Sequence, residues 1–70
     1  MVTGQTYYKI IIKYLSGLIK DEQEAIDGYN KAIIFAGNHG FKDTFALLHK
    51  IRDQEIEHKR ELENWKSRFK

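Results

Sequence analysis

Residues 36–41 read "AGNHGF". A glycine or asparagine just beyond a periodic stretch is a helix stop signal, because these residues enter the left-handed backbone that ends a helix most easily. Gly37, Asn38 and Gly40 supply that signal here, whereas Gly17 and Gly28 stand alone and proline is absent. The chain therefore has one break, with a long segment on either side.

Backward from the break, Ala36, Ile33, Tyr29, Ile26, Glu22, Ile19, Leu15, Ile12 and Tyr8 alternate by three and four residues. Forward from it, Leu48, Ile51, Glu55, His58, Leu62, Trp65 and Phe69 do the same. This is the seam spacing of helices packed lengthwise. Period-two alternation is missing and "IKDEQEAIDGYNKAI" is rich in helix formers, so strands are not expected. The spacing predicts helix 1 over about residues 6–36, a connection over about 37–41, and helix 2 over about 42–68. Gly17 and Gly28 each cost helix 1 up to about 1 kcal/mol relative to alanine. Either close packing on another backbone or a local bend would account for them, and the sequence leaves both open.

A short connection makes two such helices run antiparallel, each on the order of 40 Å long at about 1.5 Å per residue. The expected fold class is all-α, an antiparallel two-helix hairpin in a single domain of 70 residues. A chain of this size buries only about 60% of its unfolded surface and is marginal alone. With no cysteine there is no disulfide to help it and no hint of export, which leaves a metal, partner chains or both.

Charge narrows the partners. Twelve Lys and Arg are interspersed with ten Asp and Glu for a net +2, with no long basic run, so no nucleic acid is expected. The apolar stretch "YYKIIIKYLSGLI" is interrupted by Lys9 and Lys13, is too short to span a bilayer and lacks a small-residue cleavage site. A soluble cytoplasmic chain with no membrane contact is the expectation. The excess of apolar residues at the start of helix 1 is wider than one seam needs and points to contact between dimers.

Three seam positions are ionisable where they should be apolar: Glu22, Glu55 and His58. Glu22 lies about 15 residues before the break and Glu55 about 15 after it, so an antiparallel hairpin brings them to one level, with His58 one turn further. A buried lone carboxylate costs several kcal/mol unless it is neutralised or paired, and neither seam contains a lysine or arginine. A divalent cation would resolve the conflict, because Glu and His are ligands that iron, manganese or zinc accept. Three ligands are too few for a closed redox site. A two-fold partner would bring the total to four carboxylates and two imidazoles, whose charge two divalent ions would balance.

The segments "DEQEAIDGYNKAI" and "IRDQEIEHKRELENW" resemble the ferritin-like superfamily, most closely the encapsulated ferritins, half-size ferritins with one hairpin per chain. That resemblance covers about residues 15–66. It implies a homodimer forming a ferritin-like four-helix bundle, within a higher oligomer of dimers. It implies two iron ions per dimer, with manganese or zinc as substitutes, held by Glu22, Glu55 and His58. Tyr29 corresponds to a group behind the ligands, and Asp21 and Glu24 to acidic positions near the metal uptake path. It further implies an encapsulin shell as partner, inside which the chain would sit, although no cargo tail of that family is seen after "WKSRFK". The activity implied is that of a ferroxidase, oxidising Fe(II) to Fe(III) for iron storage or detoxification. The rivals are a rubrerythrin-like peroxide-scavenging oxidoreductase, whose cysteine-ligated second iron site has no counterpart here, and a structural helical dimer without catalysis.

Plainer readings stand beside these. Glu-x-x-His recurs by chance in helices, and a polar seam residue can fix register. Tyr29, Trp65 and Phe69 read as core, His39 as a loop residue and His49 as a rim residue. Asp27, Glu57 and Glu61 read as parts of solvated or partly covered faces, with guidance of cations as the lesser alternative.

Overall fold

The computed structural model describes residues 4–69, with side chains from Thr6 onward. Its elements are α1 (Gly4–Asn38) and α2 (Lys42–Lys66), packed as a helical hairpin, with no strand among the described residues. The molecule is a rod of 59 × 14 × 13 Å. Its α1 exceeds the expected length because the helix runs on through Gly37 and Asn38, so the connection shrinks to three residues.

The stop itself works as the sequence predicts. Gly40 takes φ +76°, the left-handed region that glycine enters without steric cost. That turn lets the Phe41 N–H donate to the Ala36 carbonyl at 2.9 Å, and the Phe41 ring stacks at 6.4 Å from Phe35. Together these make a Schellman-type cap with its hydrophobic contact. Gly37 lies at a close approach: the Phe45 ring is 3.2 Å from where a Cβ would stand, so the start of α2 closes directly onto α1 and a side chain here would require that ring to shift by a few tenths of an ångström. In α2, Asp43 in the first turn and Lys66 in the last complement the helix dipole.

At its far end α2 stops two residues earlier than expected. Ser67 turns its hydroxyl back to the Asn64 carbonyl at 2.6 Å, and the Arg68 N–H bonds to the Trp65 carbonyl in a tighter turn. A hydroxyl that bonds the preceding turn competes with helix propagation. Phe69 still reaches α1 and packs 5.8 Å from the Tyr8 ring.

The core is thin. Leu15, Ile26, Ile33 and Ala36 are its buried residues among those described, all on α1, and α2 contributes none. Trp65, expected in the core, is 52% exposed with the Arg68 guanidinium 4.3 Å above its ring. It lies on the flank of the seam, where one neighbouring helix cannot cover it. Close packing does not explain Gly17 and Gly28 among the described residues: a Cβ at either would meet nothing within 4 Å, and α1 continues through both. No helix among the described residues is long and apolar enough to cross a membrane.

Candidate metal centre

The hairpin has two chemically different edges. One is laced by polar bridges between the helices: Lys59 Nζ donates to Gln23 Oε1 at 2.6 Å, and Arg52 Nη1 donates to Asn30 Oδ1 at 3.0 Å. Arg52 Nη2 also donates to His49 Nδ1 at 3.0 Å, which requires His49 to carry its proton on Nε2, while Arg52 Nε is buried without a partner. The opposite edge is an open groove of about 510 Å³ lined by Leu18, Leu62 and Trp65 with Glu22, His58 and Glu61.

Glu22, Glu55 and His58 meet between these edges. Each offers one ligand atom, and the three atoms lie within 4.8 Å of one another. The approach follows from the register, because antiparallel helices of equal rise bring positions equidistant from the turn to one height. His58 Nδ1 sits 3.9 Å from Glu55 Oε1, with the imidazole 56% exposed toward the groove and the Glu55 side chain 23% exposed.

Glu22 is the strained member. Its Oε2 is buried and has no hydrogen-bond partner, and among the described residues no lysine or arginine forms an ion pair with it. Its pKa is raised above the ordinary 4.5, first because the protonated acid can share a hydrogen bond with Glu55, then by burial and by the Glu55 charge. The His58 charge pulls the other way, and Asp21 adds a smaller push upward. Two ionised carboxylates at this distance have no donor between them, so either a proton or a cation must join them. The donor set of two carboxylates and one imidazole, with an orphaned buried oxygen among them, fits a borderline divalent metal.

Of the other predicted residues, Tyr29 is half-buried two turns along α1, and its hydroxyl has no hydrogen-bond partner among the described residues. Asp21 and Glu24 are exposed beside Glu22. The structure thus gathers three of the six predicted positions and leaves Tyr29, Asp21 and Glu24 outside the cluster. Sequence reasoning missed the place of Leu18 in the groove wall. A second apolar stripe, Tyr7, Ile11, Tyr14 and Leu18, runs one residue behind the main seam with the same four-three spacing and was the available signal. No protein-family model, curated protein or solved structure matches this chain.

The direction of the Glu22 shift fixes a pH dependence. A carboxyl that holds its proton more tightly when folded stabilises the fold below 4.5, its unfolded value. That contribution is lost as pH rises from there through the raised folded value, and above it the ionised pair works against the fold. The metal-free chain should therefore resist urea better near pH 5 than near pH 7.5. Glu22→Gln, which keeps the shape without the charge, should flatten this difference; an equally steep profile in the variant would show that Glu22 is not its source.

Proposed function

We propose that two copies of the chain pair across the open edge into a four-helix bundle, that the paired clusters hold two iron ions, and that the protein is a ferroxidase. The observation that carries this reading is the convergence of Glu22, Glu55 and His58 within 4.8 Å beside an uncovered apolar groove. The thin core supports the pairing: Leu18 and Trp65 are half-exposed in a lone hairpin and line the same groove as the ligands. A second copy laid on that wall would bury both and would bring its own two carboxylates and imidazole to the opposite side.

In this arrangement the residues divide the work. The Glu22 and Glu55 carboxylates bind the substrate Fe(II) through their lone pairs, and neutral His58 adds a nitrogen. The four carboxylates of two copies balance the charge of two dications, and the apolar groove wall excludes bulk water. Iron supplies the redox chemistry: two Fe(II) each release one electron, and dioxygen takes both electrons with two protons to become hydrogen peroxide. Fe(III), a harder and more highly charged ion, then leaves for storage elsewhere, since a rod of this size encloses no space for mineral.

Mixing the metal-free protein with Fe(II) in air tests the reading. The expected result is an absorbance rise at the ultraviolet edge of the visible, faster than in buffer and saturating near two iron ions per dimer. A rise no faster than in buffer would overturn it.

A further inference from the structure

Glu61 and Trp65 line the groove that a second copy would cover, so that copy must bring an apolar contact for the ring and a cation for the carboxylate. Among the described residues Glu61 forms no hydrogen bond or ion pair, whereas Glu57 is paired with Arg60 and Glu63 lies 3.9 Å from Lys59. The other half of α2 carries what is missing. Leu47 precedes Trp65 by eighteen residues, five turns of helix, so the two share one stripe, and each is more than half exposed. Lys50 precedes Glu61 by eleven residues, about three turns, and it too is exposed and without a partner among the described residues.

The two pairs share a centre. Leu47 and Trp65 stand nine residues on either side of Ile56, and Lys50 and Glu61 stand six before it and five after it. Ile56 lies between Glu55 and His58, at the height where the three ligand atoms converge. A two-fold axis crossing the rod at that height turns the second copy end for end, and in such an interface residue i meets j while j meets i. Trp65 then meets the partner's Leu47, and Glu61 meets the partner's Lys50. Helix α1 fits the same axis, because Leu18 and Ala25 flank Glu22 at four and three residues and the larger side chain meets the smaller. An axis along the rod would instead keep every residue at its own height. It would set Glu61 near the partner's Leu18 and bring together the two ends that carry Lys9, Lys13, Lys66 and Arg68, a costly approach of like charges. We propose that the partner copy docks antiparallel, α2 against α2, and that reciprocal Lys50–Glu61 bridges select this orientation. This rests on the pairing proposed above and adds how the second copy is oriented and what recognises it. Charges so placed act on the choice of partner and orientation more than on raw affinity.

Charge reversal tests the orientation without any metal. Lys50→Glu and Glu61→Lys should each weaken self-association by about 10-fold at low salt, because two bridges become two like-charge contacts. Mixed in equal amounts, the two variants regain both bridges across a heterodimer and should associate as the wild type does, which sedimentation equilibrium reads for each sample. A second measurement is independent of charge. The chain has no cysteine, so a short bis-maleimide added to mixed Leu47→Cys and Trp65→Cys chains should join one variant to the other and not to itself. Single reversals that associate like the wild type, a mixture no tighter than its components, or cross-links formed mainly within one variant would overturn the orientation. Wild-type protein that stays monomeric at every concentration would overturn the pairing on which the orientation rests.

Discussion

Replacing Glu22 or His58 by alanine should lower the rate of Fe(II) oxidation in air by at least about 100-fold while leaving the helix content intact. The magnitude follows from the symmetry of the proposed dimer, in which each substitution would remove a proposed ligand from both copies at once, and losing even a group that merely supports a metal ligand typically costs 10- to 100-fold. Retention of the fold follows from where the two residues sit. His58 is 56% exposed, so truncating it opens no cavity. Glu22 is held with a raised pKa against Glu55, so removing it relieves a conflict in the metal-free chain. Loss of oxidation together with loss of helix signal would point to a structural role. Oxidation unchanged in both variants would remove these residues from the chemistry.

Leu18→Gln should weaken self-association by about 100-fold or more. In a lone hairpin Leu18 is 50% exposed, and a substitution at such a surface position changes stability by no more than about 0.5 kcal/mol. Across a two-fold interface the same change acts twice. Each copy then loses about half of the roughly 1.5–3 kcal/mol that full burial of a leucine contributes and adds a buried amide, and every 1.4 kcal/mol is tenfold in the dissociation constant. The substitution alters no charge, so the cluster electrostatics stay as they are. Sedimentation equilibrium distinguishes the cases: a variant shifted toward monomer at concentrations where the wild type is dimeric is the expected result. Equal masses at all concentrations would place the pairing surface elsewhere.

Much of the hairpin is legible in the sequence because few physical rules decide it. Gly40 and the apolar seam suffice to place the turn and the inward face, since a left-handed residue and a four-three repeat each admit one local reading. The convergence of Glu22, Glu55 and His58 is legible for the same reason, as a matter of counting residues from the turn. What the seam does not reveal is which flank stays open. That depends on long side chains reaching between helices, Lys59 to Gln23 and Arg52 to Asn30, and no single-helix pattern encodes such pairs. Trp65 was misplaced on this account: its spacing fits the seam, but it lies on the open flank. The early end of α2 turns on the Ser67 hydroxyl choosing the Asn64 carbonyl, a local competition that periodicity does not register. Gly17 and Gly28 remain unexplained within one chain.

The proposed ferroxidase requires cations to lie where two copies meet. X-ray diffraction at the cobalt absorption edge, from crystals grown with Co(II), reads that directly. The predicted result is a pair of anomalous peaks at a two-fold interface, each within bonding distance of carboxylate oxygens from Glu22 and Glu55 and of a His58 nitrogen. Peaks confined to other surfaces, or a dimer in which these three side chains face bulk solvent, would contradict it.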